Sequence, residues 1–524
     1  MHTTTVLVGA LLATLVIWKV AQTWRRQPLP PGPTGRYPFM GMTFDMPKSK
    51  PWETFAEWSK EYGPIIYFRT GLQHNILIGD ATVYRELVGQ RSTIYNSRAP
   101  SEIGDLISGG RRSVQMPYGS KWRMVRRVFT NVLTPKKCDG YVAFQELEAI
   151  AALQNMLHEP KEYQYELHRY SLSVARTVAF GKRVPTRSTK FGTEIREIME
   201  NFSRAMTPGK YLFEAMPILR KLPRFAQPWL DELEGYKELE ENFSVECYRD
   251  ALKQSEIHPN RPCIAREIQA EMTKSGEEDE VQAATTCMEI LGAGSDTTAT
   301  VLHFTILALA THPDVVKKAH EELDRVIGQD RFPTWQDEPN LPYVRAIIKE
   351  SQRWRGISPS SVAHYTSRED VYNGFYIPKD CIVRINHWDM HNNQERYPNP
   401  ELFVPERFID HHVSAAASAN SADRDHFSYG GGKRICPGIH LAERSLFTMT
   451  SRMLQLFKFG PPMDPKSPTP KVMTPEDVGV STSLIMLPGS DFDVEFTPRS
   501  EAVKELLERE WRMKVANQGE SWLD

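Results

Sequence analysis

Apolar residues recur at helical spacing through most of the chain beyond residue 50. Eight segments with this spacing are predicted to be helices: 52–62, 118–133, 140–157, 163–180, 231–254, 281–311, 313–327 and 341–354. Short runs rich in β-branched and aromatic residues are predicted to be strands: 65–69, 75–78, 374–377, 381–385 and 480–486. The pattern, which shows no internal repeat, therefore predicts a mainly α fold with a small β portion.

The amino terminus begins with an apolar run. Residues 3–20 are apolar except for threonines and Lys19, and their number is at the short end for a membrane span, which needs roughly 20 residues. Arg25 and Arg26 follow directly, and the positive-inside rule then places the rest of the chain in the cytosol. A cleaved signal peptide is the alternative, but its positive charges should precede the apolar run. We predict an uncleaved membrane anchor over residues 1–24.

Three further segments complete the predicted organisation. The prolines of 28–33 fix φ and lack an N–H, so residues 25–50 are predicted to form a stiff, non-helical hinge. A catalytic domain is predicted over residues 51–498. In the tail 499–524, Val503, Leu507 and Trp511 recur every four residues, which predicts an amphipathic helix that packs on the body.

Composition and charge narrow the classes of function. The net charge of −2 gives no support for a nucleic-acid partner. The six cysteines lie far apart and form no CxxC pair, which excludes the common zinc spacings and gives no sign of a disulfide framework. A reducing, cytosol-facing compartment fits this use of cysteine.

One cysteine lies in a distinctive string, Tyr-Gly-Gly-Gly-Lys-Arg-Ile-Cys-Pro-Gly at 429–438. Glycines at 430, 431, 432 and 438 would let the backbone approach a flat surface closely. Cys436 precedes a helix-like run, whose free N–H groups and dipole would stabilise a thiolate, and Arg434 is placed to meet a carboxylate. A thiolate that binds haem satisfies these demands together. The alternative is a buried structural cysteine beside a glycine-rich turn.

This segment resembles the haem-ligand loop of the cytochrome P-450 family, whose string is Phe-x-x-Gly-x-Arg-x-Cys-x-Gly. Gly432, Arg434, Cys436 and Gly438 match that string, whereas Tyr429 stands where phenylalanine is usual. The resemblance implies the P-450 fold, a large helical domain plus a small β portion, with an N-terminal transmembrane helix. It also implies haem b as the cofactor, with Cys436 as the axial thiolate ligand of the iron.

A second segment, Ala-Gly-Ser-Asp-Thr-Thr at 293–298, lies inside the longest predicted helix. Its residues, however, favour an interruption of that helix. Because glycine and short polar residues are poor helix formers, we predict a local opening where the Thr297 hydroxyl and a freed carbonyl hold water and dioxygen. A helix break marked by an N-cap-like sequence is the alternative. The segment is similar to the family's oxygen-activation motif, and the resemblance gives Asp296 and Thr297 the catalytic roles of acid and alcohol in proton delivery.

A third motif is Glu350-Ser-Gln-Arg353, followed later by Pro-Glu-Arg-Phe at 405–408. Taken alone, Glu350 and Arg353 would be a surface ion pair on one helix face, worth little. The resemblance implies instead that they form one buried network with Arg407. Such a network would hold structure near the haem and take no part in the chemistry.

Haem carries two propionates, which need cationic or hydrogen-bonding partners. Trp122 and Arg126 lie four residues apart on one predicted helix face, as in the family's Trp-x-x-x-Arg. His364 occupies a position where the family often has His or Arg toward a propionate, and Arg434 completes the predicted cofactor-binding set. For each residue the alternative is a solvated basic side chain or a satisfied core histidine.

These matches, spread over residues 122–438, predict a membrane-anchored haem-thiolate monooxygenase that inserts one oxygen atom of O2 into an apolar small molecule. The resemblance implies that NADPH–cytochrome P-450 reductase supplies electrons at the endoplasmic reticulum membrane, with cytochrome b5 as a further donor. A basic face that includes Arg127 and Lys433 is predicted to receive the donor. The Cys436 loop looks most like those of filamentous-fungal members, which favours a tailoring step in secondary-metabolite biosynthesis.

Other functions stay open at this stage. They are a hydroxylase of a small aromatic compound or xenobiotic, an O2-independent haem-thiolate isomerase or dehydratase, and a non-catalytic haem- or steroid-binding protein. Segments that mix apolar and small polar residues are predicted to line the substrate pocket: 101–116, 207–213, 285–294, 357–362 and 481–484.

Overall fold

The structure is a computed structural model that describes residues 27–37, 39–186, 189–207, 209–215, 217–258, 261, 263–276, 279–417, 424–478 and 491–518. The predicted anchor over 1–24, the predicted strand 480–486 and the predicted pocket segment 481–484 lie outside these residues. Within the described ranges, no single helix combines the length and apolar character of a membrane span. One pair of helices, Glu280–Thr311 and Pro313–Val326, meets those requirements only when both are taken together across a 103° bend.

Helices form most of the described chain. The longer α-helices are Pro51–Tyr62, Ser120–Val132, Val142–His158, Tyr163–Phe180, Lys190–Ala205, Pro228–Ile257, Ile264–Lys274, Glu280–Thr311, Pro313–Val326, Pro342–Trp354, Ile439–Leu456 and Glu501–Gln518. The short α-helices are Ala81–Tyr84, Ser92–Tyr95, Glu102–Ser108, Pro135–Asp139, Leu212–Ala215 and His387–His391. A π-helical segment, Arg85–Gln90, continues the first of these short helices.

All eight helices predicted from periodicity are present, with ends that differ from the prediction by three residues at most. Two further helices, Lys190–Ala205 and Ile264–Lys274, were not predicted. The first buries Phe191, Ile195 and Ile198 at helical spacing along one face. Its amphipathic pattern is therefore clear in the sequence, and this helix could have been predicted from it.

The β portion is small. Its strands are β1 (Ile65–Thr70), β2 (Gln73–Ile78), β3 (His364–Tyr365), β4 (Asp370–Tyr372), β5 (Phe375–Ile377), β6 (Ile382–Ile385), β7 (Phe457–Phe459) and β8 (Phe496–Pro498). The largest sheet has the order β1-β2-β6-β3, in which β2 and β6 are parallel and the other pairs antiparallel. Ile78 pairs with Ile385, so this sheet joins distant parts of the chain. The pairs β4–β5 and β7–β8 are separate antiparallel ribbons.

The helix Glu280–Thr311, called the long helix below, lies in the centre of the core. It is apolar on every side toward its C-terminal end, where Phe304 and Leu307 are fully buried, as expected of a helix surrounded by protein. Its main neighbours are the helices Tyr163–Phe180, Pro228–Ile257, Ile264–Lys274 and Ile439–Leu456. The last of these follows Cys436 directly, so the fold places the two predicted catalytic segments on neighbouring elements.

The proline-rich segment predicted as a hinge is extended and packs on the small sheets. The carbonyl oxygen of Pro31 accepts a hydrogen bond from the Tyr67 N–H at 2.9 Å, and that of Pro28 accepts one from the Tyr376 N–H at 2.8 Å. A Cβ on Gly32 would lie 2.0 Å from the Tyr67 carbonyl oxygen, so only glycine fits this approach. The segment is therefore bound to β1 and β5 along part of its length.

The predicted C-terminal helix is present as Glu501–Gln518 and packs on the body, as expected. Its side chains Val503 and Leu507 are 1% and 0% exposed. Just before it, Arg499 forms an ion pair with Asp324, with Nη2 and Oδ2 2.6 Å apart. The amphipathic spacing thus identified both the helix and its buried face.

Candidate active site

The loop that carries Cys436 is closed by its own backbone. The Cys436 N–H donates to the Tyr429 carbonyl oxygen at 2.9 Å. The helix Ile439–Leu456 begins three residues later, with Gly438 at its N-cap. Cys436 is only partly buried. The residue therefore borders open space that a cofactor can occupy.

The pKa of the Cys436 thiol shows how far the loop alone stabilises a thiolate. Burial raises this pKa above its usual range, while the Gly438 N–H and the Arg126 guanidinium lower it. Burial prevails, so the helix terminus does not by itself hold the thiolate that the sequence led us to expect. A coordinated metal cation removes the proton from a thiol outright, so the iron of the haem implied by the sequence resemblance would supply the missing stabilisation if Cys436 holds it.

Two glycines of the loop have a different role from the one predicted. A Cβ on Gly432, whose φ is +58°, would lie 2.2 Å from the Val88 carbonyl oxygen, and a Cβ on Gly431 would lie 2.6 Å from a buried tyrosine hydroxyl. Both glycines therefore allow the loop to pack against protein rather than against a flat cofactor. On Gly438 a Cβ would contact only the Cys436 sulfur, at 3.8 Å, so the space that the predicted role requires is open beside this glycine.

Arg434 lies beside the loop with most of its donors already bonded. Its guanidinium stacks over the Trp122 ring, with 4.2 Å between the guanidinium carbon and the ring centroid. At 2.8, 3.0 and 2.6 Å it donates to three backbone carbonyls, those of Asn96, Ser113 and Met116. Burial, reinforced by two neighbouring arginines, lowers the pKa of Arg434 to about 8. An anion at this place would raise this pKa again and stabilise the positive charge of Arg434.

Arg98 is one of those neighbours, and it was not predicted from the sequence. Its Nε donates to the Val114 carbonyl at 3.0 Å, and its Nη1 donates to the Val362 and Ala363 carbonyls at 2.5 and 2.9 Å. Burial lowers the pKa of Arg98 to about 10. No spacing or motif sets Arg98 apart in the sequence, where it lies three residues before a predicted pocket segment.

His364 is buried in the same region as a neutral ring. Its Nδ1 lies 2.8 Å from the Tyr95 carbonyl oxygen, which only accepts, so Nδ1 carries the proton. Burial, and then the charge of Arg98, holds the pKa of His364 well below its usual range. The Nε2 of this neutral ring is an acceptor and cannot donate to a propionate. The predicted contact therefore requires a protonated ring, and the negative charge of a bound propionate would raise the pKa of His364 toward that state.

Arg98, Arg126 and Arg434 form an arginine cluster with an excess of positive charge. Among the described residues, none of the three forms an ion pair with a carboxylate. The charge of Arg126 lowers the pKa of Cys436, and the charge of a Cys436 thiolate raises the pKa of Arg126, so the cluster lies next to the cysteine. Burying unpaired cations costs free energy, which two haem propionates would offset. The cluster, Trp122 and Cys436 thus fit the haem that the sequence resemblance implies.

Glu289 links this region to the long helix. Its Oε1 accepts from the Ser113 hydroxyl at 3.0 Å and from the Val114 N–H at 3.3 Å. Burial raises the pKa of Glu289 to about 7. The carbonyls of the same loop receive donors of the arginine cluster, so Glu289 holds the loop between the cluster and the long helix. The sequence placed Glu289 only within a predicted pocket segment.

The long helix is continuous through residues 293–298, so the predicted opening is not present. The Thr297 hydroxyl donates to the Ala293 carbonyl oxygen one turn earlier, at 2.8 Å, which keeps a hydroxyl in a helix without interrupting it. A Cβ on Gly294 would lie 3.0 Å from the Ala175 Cβ, so this glycine allows close packing of two helices. Ala293 is exposed and Thr297, one turn later, is only partly buried, which shows that this turn of the long helix borders an open space.

Asp296 and Thr297 do not form a hydrogen-bonded pair with each other. Consecutive residues of a helix project about 100° apart, since a turn contains about 3.6 residues. The Asp296 carboxylate faces the neighbouring helix Tyr163–Phe180, where its Oδ1 lies 3.5 Å from the His168 Nδ1. The predicted acid and alcohol therefore share a turn of the long helix but have different partners.

The predicted network around Glu350 is present and buried. Glu350 and Arg353 form a bidentate ion pair at 2.7 and 2.8 Å, and both are nearly or fully inaccessible. Arg407 approaches the same carboxylate at 3.5 Å. The alternative of an exposed surface pair is therefore wrong. Backbone carbonyls at His391 and Pro400 accept further hydrogen bonds from Arg353.

Comparison with known proteins agrees with this arrangement. The cytochrome P-450 family profile matches residues 30–486. Cytochrome P-450 monooxygenase verL of Clonostachys rogersoniana is 33% identical over 512 residues, covering 96% of this chain and 93% of that protein. Cytochrome P-450 monooxygenase fogE of Aspergillus ruber is 34% identical over 534 residues, covering 99% and 98% of the two chains. Monooxygenase virE of Hypocrea virens is 34% identical over 508 residues, with 95% and 91% covered.

Solved structures show the same fold. A zebrafish cytochrome P-450 with progesterone superposes with a TM-score of 0.66 at 22% identity, covering 86% of this chain and 99% of the other. A second structure, with abiraterone, gives a TM-score of 0.64 at 22% identity and covers 86% and 100%.

Proposed function

Because the chain belongs to the cytochrome P-450 family, we propose that it oxygenates an apolar small molecule as a tailoring step in fungal secondary-metabolite biosynthesis. The protein is a cytochrome P-450 monooxygenase, an oxidoreductase whose cofactor is haem with a cysteine thiolate ligand. We assign the thiolate to Cys436, which alone among the six cysteines stands in the family's motif.

The observation that carries this assignment is the unpaired arginine cluster beside the partly accessible Cys436. A buried structural cysteine would need neither the cluster nor the open space next to it. The tailoring role is supported by the relatives, which are fungal monooxygenases with lettered names in the style of biosynthetic gene clusters.

Bound haem supplies the chemistry of dioxygen reduction and oxygen transfer. The chain's own residues would bind the haem and transfer protons. The arginine cluster and Trp122 would hold the propionate edge, and Cys436 would bind the iron. The Thr297 hydroxyl, now bonded to the Ala293 carbonyl, can rotate to present a proton to the open space. Asp296 one residue earlier can exchange protons with solvent through its partly exposed carboxylate.

We further propose that electrons come from NADPH through NADPH–cytochrome P-450 reductase, with cytochrome b5 as a further donor. Support comes from exposed Arg127, which shares the helix Ser120–Val132 with Arg126 and so lies near the haem edge. An acidic surface on the donor would be attracted to such basic residues. Attachment to the endoplasmic reticulum membrane by residues 1–24 completes this proposal.

Deletion of the gene in the native host, followed by mass spectrometry of its metabolites, tests the function. We expect a compound that is poorer by one or more oxygen atoms to accumulate. Reintroducing the wild-type gene should restore the product, and reintroducing Cys436→Ala should not. Restoration by the Cys436→Ala gene would contradict the assignment of the thiolate.

The purified holoenzyme with reductase then tests the reaction class on the accumulated compound. We expect product only when NADPH and dioxygen are both present, with one oxygen atom of the product derived from 18O2. Turnover without dioxygen would instead indicate an isomerase or dehydratase.

A further inference from the structure

The aspartate of the turn 293–298 has one ionisable partner in the part of the chain that the structure describes. The Asp296 Oδ1 lies 3.5 Å from the Nδ1 of His168, which is within ion-pair distance. Among the described residues, no other basic side chain lies at such a distance from Asp296, and no other carboxylate from His168. The side chain of His168 is 42% exposed and that of Asp296 is 30% exposed, so solvent reaches both. The pair therefore connects the surface with the turn that borders the open space.

The pair lies at the edge of a close contact between two helices. A Cβ on Gly294 would lie 3.0 Å from the Cβ of Ala175, so the long helix and the helix Tyr163–Phe180 approach each other directly. Leu172 and Ala175 follow His168 by about one and two helical turns, and they are 7% and 2% exposed. This apolar contact fixes the two helices relative to each other, so the pair stays together at its wet edge.

Cleavage of dioxygen consumes protons. With two electrons and two protons, dioxygen gives one oxygen atom to the substrate and one molecule of water, and the electrons come from NADPH through the reductase. The Thr297 hydroxyl can present a proton to the open space, but that proton must then be replaced. Carboxylates are ionised at neutral pH, whereas histidine is the side chain type that takes up and releases protons there. An aspartate alone is therefore a poor store of protons, and a histidine beside it is a good one.

We propose that His168 is a positioning residue that supplies protons to Asp296 during cleavage of dioxygen. This inference rests on the proposed monooxygenase function. His168 takes up a proton from solvent and attracts the carboxylate as an ion pair. When Nδ1 passes that proton to Oδ1, both groups become neutral and the attraction is lost. The protonated Asp296 side chain is then free to turn toward Thr297 and replace the proton that its hydroxyl has given up.

Dioxygen reduction by the purified holoenzyme with the reductase tests this proposal, because it needs no identified organic substrate. Hydrogen peroxide formation uses one NADPH per dioxygen and water formation uses two, so the consumption of both gives the ratio of water to peroxide. His168→Gln keeps a hydrogen-bonding side chain but cannot carry a proton. The ratio should fall by about threefold or more, less than the roughly 100-fold that a direct general acid contributes. His168→Lys keeps a protonated nitrogen and should stay nearer to the wild type.

Asp296→Asn tests the route of the proton. If His168 acts through Asp296, adding His168→Gln to Asp296→Asn should change the ratio no further. His158→Gln is the matched control, because His158 is exposed at the end of another helix, and it should behave as the wild type. The proposal would be overturned by an unchanged ratio in His168→Gln, by equal losses in the Gln and Lys variants, or by an equal added effect in the Asp296→Asn background.

The pair can also be observed without turnover. Nuclear magnetic resonance of 13C-histidine-labelled protein, held as the reduced carbon monoxide complex, reports each histidine ring. The ring signal of His168, identified by its loss in His168→Gln, should move in Asp296→Asn, whereas the signal of His158 should not. An unmoved His168 signal would overturn the pairing. A moved signal in an enzyme that reduces no dioxygen would contradict the proposed function, and with it the proton role of the pair.

Discussion

Replacing Glu350 by glutamine removes one charge from a fully enclosed ion pair. Glu350 is 0% exposed and Arg353 is 1% exposed. Besides the two bonds to Arg353, the carboxylate accepts the Val404 N–H at 2.9 Å, so three donors converge on it. Glutamine keeps the size of the side chain but offers one acceptor oxygen and leaves the Arg353 charge without its counter-ion.

The expected loss is about 3–5 kcal/mol of unfolding free energy, the usual cost of breaking a buried pair by removing one partner. Folded proteins are typically stable by only about 5–15 kcal/mol, so Glu350→Gln should lose roughly a fifth or more of the total. The pair holds the segment that carries Pro400 and Leu402, whose carbonyls accept from Arg353. We therefore expect loss of haem together with loss of structure.

Urea denaturation of the holoenzyme, followed by Soret absorbance and far-ultraviolet circular dichroism, measures this loss. Glu234→Gln is the matched control, because Glu234 forms a bidentate pair with Arg224 on the surface. The control should unfold at the wild-type urea concentration. In the folded fraction of Glu350→Gln, turnover per haem should be unchanged. A wild-type midpoint for Glu350→Gln, or reduced turnover at full stability, would refute the structural role.

Three further results are expected. Cys436→Ala should fold but lack the haem-thiolate absorbance of the reduced carbon monoxide complex, and a wild-type spectrum would exclude Cys436 as ligand. Thr297→Ala should keep that spectrum but divert reducing equivalents to hydrogen peroxide, measured per NADPH consumed; tight coupling would exclude its role in proton delivery. Since burial raises the pKa of Glu289 to about 7, its native carboxyl keeps a proton that the unfolded chain loses. Stability should therefore fall as pH rises from about 5 to 7, and this part of the fall should vanish in Glu289→Gln.

The helices and their buried faces could be predicted because each long helix presents a broad apolar surface to the core. The helix Glu501–Gln518 illustrates this, since the four-residue spacing of Val503 and Leu507 alone indicated which side would be buried. The same kind of spacing in Phe191, Ile195 and Ile198 also identifies the helix Lys190–Ala205, which the sequence analysis missed. Strand pairing such as Ile78 with Ile385 joins residues far apart in the sequence, and no local pattern contains that information.

In the candidate site, too, some residues could be predicted from the sequence and others could not. Cys436, Arg434 and Trp122 belong to short motifs, so their association could be predicted. Arg98 joins them through carbonyls of distant loops, which only the folded chain brings together. The opening at 293–298 was wrongly predicted from helix propensity. The Thr297 hydroxyl bonds within its own helix, and tertiary packing of Gly294 on Ala175 overrides the weak propensity.

The hydrogen bonds of the proline-rich segment define where the chain can be shortened for production in solution. A variant that begins at residue 27 would keep the carbonyls of Pro28 and Pro31, and with them the contacts to Tyr376 and Tyr67. A variant that begins at residue 34 would expose the β1 N–H at Tyr67 and leave a groove where Gly32 had packed. The longer variant should therefore be the better material for crystals, with the small sheets intact.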